Sequence, residues 1–457
     1  MSDSQLFDYE FDEEAFGFGA PETASTPKPT SRLEHTFFWL AILGAIIIGV
    51  QIAGEFATGS WFGFLIGPGL LSVSGGLYSW SVHKDTTPGI KHNGLRFDGR
   101  FSRGALGWLA GLLMTALYVA LYWFPEVLGH SPDGNPTGLV RVVDAPARLM
   151  TGGPASQWFL YGVLYSFVMS VFAVRMLMKY RHNPYQRLRT LSVVFFQLTF
   201  AWMLPNIFVR MQQPYMELNG VWPLKQDYLW PSKVSELWNG DASLGPVLVI
   251  YALLLATVAT PILTYFYGKR WYCSWVCGCG GLAETLGDPF RQLSDKSERA
   301  WKIEVRTIYS VMALVLLTTV ALWIDYLTDN AIFKGYSGAL KQWYGFSIGA
   351  VFSGIVGVGF YPLLGSRVWC RFGCPQAAIL GILQKVFSRF RITTNGGQCI
   401  SCGNCSTYCE MGIDVRSYAQ EGLSIVRASC VGCGVCAAVC PRGVLSLENG
   451  SSHVGRD

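Results

Sequence analysis

Charge is scarce in this chain. Only 14% of its 457 residues are Asp, Glu, Lys or Arg, against 51% hydrophobic. Soluble domains carry about 25% charged residues, so the composition excludes an ordinary soluble protein. Histidine is scarce too. His35, His83, His92, His130, His182 and His453 make up the whole set, and none sits in the middle of an apolar run. That excludes a haem held between paired intramembrane histidines, and there is no C-x-x-C-H for covalent haem. No phosphate loop or hydrolytic constellation is present. GIVGVG (354–359) lies inside an apolar run with no strand before it, so it reads as helix packing rather than nucleotide binding. The net charge of +5 is modest and comes with no nucleic-acid motif. The opening stretch, MSDSQLFDYEFDEEAF, is acidic and lacks the basic n-region of a secretory signal. Cysteine is absent before Cys273.

What is present is first a series of apolar runs. A spanning helix needs about 20 mostly apolar residues. Runs of that kind fall at 36–56, 60–80, 105–125, 157–178, 190–210, 245–267, 307–327 and 346–365. The second is the weakest, rich in Gly and Ser and containing Pro68. Lys and Arg crowd alternate connections: Lys84, Lys91, Arg96, Arg100 and Arg103; then Arg175, Lys179, Arg181, Arg187 and Arg189; then Lys269, Arg270, Arg291, Lys296, Arg299, Lys302 and Arg306; then Arg367 and Arg371. Cytoplasmic connections are enriched in these residues. The pattern predicts a polytopic α-helical membrane protein with about eight spanning helices. The expected location is a bacterial inner membrane, with lipid as its surroundings and both termini in the cytoplasm. The connection 211–244, with Tyr215, Trp222, Tyr228, Trp230 and Trp238, reads as an external loop carrying an aromatic interface belt, with a quinone or partner site there as the alternative. Gln51, Glu55, Gln197 and Asn206 read as structural hydrogen-bonding groups in or near the spans, with contact to a quinone head group as the alternative.

All thirteen cysteines then fall on the cytoplasmic side, where disulfides do not persist. Residues 399–409 read CISCGNCSTYC and residues 430–440 read CVGCGVCAAVC. Both have the spacing C-x2-C-x2-C-x3-C, offset by 31 residues. Three thiolates so spaced wrap one cubane, and the fourth ligates the other in two-cluster ferredoxins. The pattern assigns Cys399, Cys402, Cys405 and Cys440 to one [4Fe–4S] cluster and Cys430, Cys433, Cys436 and Cys409 to a second. Zinc ribbons separate their C-x2-C pairs by longer loops. Gly403, Gly432 and Gly434 let backbone N–H groups approach the sulfurs. Glu410 stands where proline usually follows the fourth cysteine, and a carboxylate there is expected to lower the cluster potential.

A second repeat lies earlier. GKRWYCSWVC (268–277) and GSRVWCRFGC (365–374) align at an offset of 97, matching Gly268 to Gly365, Arg270 to Arg367, Cys273 to Cys370 and Cys277 to Cys374. Each follows an apolar run and precedes an amphipathic stretch. Cysteines at i and i+4 share one helix face, so the two pairs offer four thiolates to one site. A further Fe–S cluster, a Cu(I) ion suited to soft thiolates, a redox dithiol and plain buried thiols all remain open for Cys273, Cys277, Cys370 and Cys374. Arg270 and Arg367 read either as interface anchors or as cations that stabilise thiolates. Cys279, which breaks the repeat, reads as a non-ligand.

The repeated C-x3-C at the ends of membrane helices, with the doubled ferredoxin motif and CEMGIDV (409–415), resembles the membrane polyferredoxins. That family includes the quinol-dehydrogenase membrane subunit of periplasmic nitrate reductase, the membrane regulator of nitrous oxide reductase and the iron–sulfur copper reductase of cytochrome oxidase assembly. The resemblance covers about 245–448. It departs at Gly278, where the family's C-x3-C is followed by proline, as Pro375 does in the second copy. The expected organisation is an acidic tail (1–34), an N-terminal transmembrane region (35–244), a transmembrane repeat bearing the C-x3-C motifs (245–391), a small α+β two-cluster ferredoxin domain (392–448) and a tail (449–457). The expected function is electron relay between a cytoplasmic partner and a membrane donor or acceptor, as an electron-transfer component or oxidoreductase subunit. The resemblance implies quinone or a redox protein subunit as the partner. The alternatives are a copper-ion reductase or assembly factor using the C-x3-C thiols, and a redox-sensing membrane regulator.

Overall fold

In the computed structural model the described residues are 31–450 apart from Glu55, residues 85–103 and Lys334. Most of the expected acidic tail, the basic residues Lys91, Arg96, Arg100 and Arg103, and residues 451–457 lie outside them. Seven described helices are long and apolar enough to cross a bilayer: α1 (Arg32–Gly54), α2 (Trp61–His83), α3 (Ala105–Trp123), α4 (Gln157–Lys179), α5 (Pro184–Arg210), α6 (Gly245–Tyr267) and α7 (Glu298–Leu327). The chain is a polytopic helical membrane protein. The eighth run is helical as well. Here α8 begins as Tyr336–Tyr344 and continues as the π-wound Gly345–Gly359. Five glycines in that second part dilute its apolar character, so it does not stand among the seven.

Local chemistry starts these helices where they start. Ser156 caps α4 by accepting from Phe159 N, Asn183 caps α5 from Gln186 N ahead of Pro184, and Ser297 caps α7 from Ala300 N. Each supplies an acceptor to an N–H that has no partner within the helix. The π-wound turns sit at or before prolines: 65–69 around Pro68, 197–203 before Pro205, 255–259 before Pro261. Proline has no N–H and crowds the preceding turn, so the helix widens there instead of breaking. The weak second run is thereby a complete helix.

Small residues set the packing. A side chain at Gly44 would strike the α2 backbone at Leu71, one at Gly354 would strike Tyr118 of α3, and one at Gly359 would strike Thr115. GIVGVG is therefore a close helix–helix contact. Gln51 donates to Gly63 O at 2.9 Å and Asn206 to Trp202 O at 2.6 Å, so both serve as structural bonds.

After α8 the chain forms α9 (Pro375–Phe387) and then the ferredoxin module. Its sheet has two antiparallel strands, β1 (Phe390–Thr394) and β2 (Leu445–Asn449), with Phe390 opposite Asn449. β1 is buried at every residue, because the strand faces the module on one side and the end of the helix bundle on the other. Gly268, which ends α6, cannot carry a side chain without meeting Phe390 and Gln384.

Candidate metal centres

The two C-x2-C-x2-C-x3-C motifs adopt the same backbone shape. Short helices begin at Asn404 and Val435, each preceded by a left-handed glycine, Gly403 (φ 77°) and Gly434 (φ 71°). Ile413 N donates to Cys409 Sγ at 3.4 Å, and Val444 N donates to Cys440 Sγ at 3.3 Å. Both pairs repeat at the 31-residue offset read from the sequence. Cys399, Cys402, Cys405 and Cys440 line one cavity, rimmed by Arg416 and Arg442. Burial and then the neighbouring thiols Cys402, Cys440 and Cys399 push Cys405 up to about 11, although the Ser406 backbone opposes them. On the inner side Cys436 is held well above its usual range by burial, then by Cys433, Cys430 and Cys409. Crowded, buried thiols of this kind give up their protons readily only to a metal centre.

The first set faces outward, with Cys402 exposed, whereas Cys430 and Cys436 are buried. The loop around Cys433 is bolted to the membrane part. Gln186 and Arg189 of α5 both donate to Cys433 O, at 2.8 and 2.9 Å. Tyr185 OH donates to Gly432 O, Ser274 Oγ to Val431 O, and Gln384 Nε2 to Cys430 O.

The membrane thiols also converge. Cys273, Cys277, Cys370 and Cys374 are each 5% exposed. Burial raises Cys374 well above its usual range, and Cys370, Cys273 and Cys277 add to it. The C-x3-C is not one helix face, however. Cys273 ends the short helix Arg270–Cys273, and Cys277 precedes the next, Gly278–Glu284. The second copy repeats this, with Cys370 in Val368–Phe372 and Cys374 capping α9. The break lies between the cysteines, where Val276 N and Cys277 N both donate to Tyr272 O, and Gly373 N and Cys374 N both donate to Trp369 O; Gly268 and Gly365, at φ 66°, ψ −172° and φ 97°, ψ 167°, a region open only to glycine, end the preceding helices and turn the chain into each segment. The thiols meet because two broken segments pack face to face. Cys279 hydrogen-bonds to Cys277 and, against burial and with help from the Gly280 backbone and Arg367, brings it down to about 7.

Charge around these sites is buried and paired. Arg367 Nη1 donates to Cys273 O at 3.2 Å and reaches Cys370 Sγ at 3.8 Å, while its Nη2 donates to Glu410. Glu410 also pairs with Arg291 at 2.9 Å, and burial, which would raise its carboxyl, is overcome by Arg291, Arg367 and Arg189, which hold it near about 2. The isolated carboxylate expected beside a cluster is thus neutralised. Arg270 instead lies over the Phe390 ring at 4.2 Å and donates to Asn449, which docks the module. Arg189–Glu284 and the Arg175, Lys179 and Arg291 pairs with Asp288 complete the network. The sequence marked these arginines and lysines only as a cytoplasmic bias; apart from Arg291 with Asp288, their acids lie far along the chain, up to 119 residues away.

Residues 398–445 match the 4Fe-4S dicluster domain family, and 249–297 and 345–393 each match the 4Fe-4S binding domain family. The chain is 26% identical over 176 residues to "Putative electron transport protein YccM" of Escherichia coli K12, covering 37% of this chain and 49% of that protein. It is 26% identical over 195 residues to the methylamine utilization ferredoxin-type protein MauN of Methylobacillus flagellatus, covering 38% of this chain and 64% of that protein. It is 28% identical over 172 residues to the uncharacterized protein MJ0749 of Methanocaldococcus jannaschii, covering 35% and 61%. The matched region thus spans about half of the first relative and under two thirds of the other two. No solved structure matches the chain. The chain carries 4Fe–4S clusters in these domains. Its thiols suit them: Cys399, Cys402, Cys405 and Cys440 line one cavity, four thiolates as a cubane takes at its corners.

Proposed function

We propose that this protein is a membrane polyferredoxin, a one-electron relay through three [4Fe–4S] clusters that links a soluble redox partner to quinone in a bacterial inner membrane. Cys399, Cys402, Cys405 and Cys440 hold the outer cluster, and Cys430, Cys433, Cys436 and Cys409 hold the inner one. Cys273, Cys277, Cys370 and Cys374 hold the third. The units at work are the membrane repeat 245–391 and the two-cluster domain 392–448. The cysteine-bearing end, with its excess of Lys and Arg, faces the cytoplasm.

One observation carries this reading. Cys273, Cys277, Cys370, Cys405, Cys430 and Cys436 belong to a single continuous buried core, with Cys399, Cys409, Cys433 and Cys440 packed against it. The core runs from Cys399, Cys405 and Cys440 of the outer set to Cys273, Cys277 and Cys370. The protein's own contribution is to bind the clusters, exclude water and place Arg189, Arg291 and Arg367 where they offset the negative charge of the cluster thiolates. Bound there, the clusters supply reversible one-electron chemistry.

The test is iron and acid-labile sulfide per chain, with EPR, on anaerobically purified protein. Three cubanes give about twelve irons, falling to about eight when Cys273, Cys277, Cys370 and Cys374 are replaced by Ser. A count of about eight that ignores those replacements removes the third cluster and leaves a dithiol or a copper site, which copper titration of the same variant decides.

A further inference from the structure

The connection between α5 and α6 does not stay at the membrane surface. Leu218 N donates to Phe200 O at 3.0 Å. Phe200 lies in the π-wound part of α5, ten residues before the helix ends at Arg210. At 1.5 Å per residue that is about 15 Å below the far end of the bundle. Tyr251 OH of α6 donates to Leu218 O at 2.5 Å, and Tyr272 OH, from the thiol segment, donates to Asn219 O at 3.0 Å. Val221 belongs to the core that holds Cys273 and Cys277, and Leu224 packs both on that core and on the one around Cys374. The segment therefore enters from the end opposite the ferredoxin module and stops against the membrane thiols. Of the aromatic belt expected on this loop, Tyr228 and Trp230 are buried, while Tyr215 and Trp238 are exposed.

The segment carries polar groups to that depth. Lys225 Nζ pairs with Glu217 Oε1 at 2.7 Å, and both side chains are only half-buried. Tyr228 OH donates to Glu217 O and accepts from Glu217 N, which fixes the loop around them. Asn219 Oδ1 and Trp222 Nε1 are buried with no hydrogen-bond partner among the described residues. Ionised groups inside a membrane are costly and mark ligand sites more often than structural ones, and a buried polar atom left unpaired asks for a partner.

We propose that Glu217, Asn219, Trp222 and Lys225 form the binding site for a quinone head group, reached from the bilayer. The match is chemical. A quinone presents two carbonyl acceptors, for which Lys225 and the Trp222 N–H are donors. A hydroquinone presents hydroxyls, for which Asn219 and Glu217 are acceptors. The ligand dissolves in lipid, and Leu224 sets the site directly beside the membrane thiols. This inference rests on the relay reading and adds where its membrane partner binds.

The experiment is photolabelling of the full chain in lipid nanodiscs with an azidoquinone, mapped by mass spectrometry, with unlabelled quinone as competitor. Label is expected on residues 215–230, with affinity about tenfold weaker in Lys225→Met and several-fold weaker in Trp222→Phe, as for lost hydrogen bonds to a ligand. Unchanged EPR signals of the two ferredoxin-type clusters show that each variant is folded, and Trp222→Phe is the milder of the two. Competed labelling elsewhere, or unchanged affinity in both folded variants, overturns the site and leaves the relay intact. No competed labelling of the wild type overturns quinone as the partner, and the site with it.

Discussion

Arg367 Nη2 donates to Glu410 Oε1 at 2.9 Å, with both side chains fully buried. Arg367 lies three residues before Cys370, and Glu410 directly follows Cys409. The pair ties the membrane thiols to the inner thiol set of the ferredoxin module, and Arg291 holds the other carboxylate oxygen. Removing one partner of a buried ion pair costs about 3–5 kcal/mol. Glu410→Gln should lower the thermal stability of the purified protein by that order and raise the midpoint potential of the inner cluster, because a negative charge beside it is lost. Potentiometric EPR reads the second effect. A destabilised variant with an unshifted potential would show that Glu410 only holds the fold.

The turns at Gly268 and Gly365 come next. Their conformations are open to glycine alone, and a side chain elsewhere in this region costs about 1–3 kcal/mol. Gly268→Ala carries the further penalty of a clash with Phe390, at 2.7 Å from the added carbon. Limited proteolysis should then release or cut the ferredoxin module faster than in wild type. A control substitution at Gly338, where an added Cβ meets nothing, should leave the rate unchanged.

Asp288 gives a pH signature. Burial alone would raise its carboxyl, but Lys179, Arg175 and Arg291 outweigh it and hold the group well below the usual carboxylate range. A folded-state pKa depressed in this way contributes stability that is fully present above the unfolded value of about 4 and is lost as pH falls below it. The stability gap between wild type and Asp288→Asn should therefore be constant from neutral pH down to about 5 and narrow only at lower pH. A gap that changes between pH 6 and 8 would point to a different titrating group.

The outer and inner thiol sets should fail separately. Cys402→Ala should remove the signal of the exposed cluster, and Cys433→Ala that of the docked one, each with a loss of about four irons. With the outer cluster gone, reduction by a protein partner should stop, while dithionite still reduces the rest. Equal loss of both signals in either variant would mean that the module folds only when both clusters are in place.

Much of the arrangement was legible because it rests on covalent spacing and on solvent preference. Three thiols at C-x2-C-x2-C are near one another in any fold, so Cys399, Cys402 and Cys405 group together without tertiary knowledge. The 31-residue offset returns as matching left-handed glycines and matching N–H···S bonds. Runs of 20 apolar residues must span or aggregate, so the helices appear at their expected places, α5 and α7 starting six and nine residues earlier than the apolar runs and the last run diluted by glycine. What failed to show were relationships between distant residues. The C-x3-C spacing suggested one helix face, but the short helices Arg270–Cys273 and Val368–Phe372 end before the second cysteine of each pair, and only packing returns Cys273 toward Cys370. Glu410 looked like a lone carboxylate because Arg291 and Arg367 are 119 and 43 residues away along the chain.

The sequence by itself determined the chemistry: thiolate ligands in sets, a membrane setting and two internal repeats, since these follow from residue type and local spacing. Only the tertiary structure decided which charges neutralise one another and which cluster set faces solvent. It alone also brought the 211–230 segment down to the thiols. Those outcomes depend on side chains meeting across the bundle, where burial makes an unpaired charge or carbonyl costly, and a linear pattern carries no record of which distant group relieves that cost.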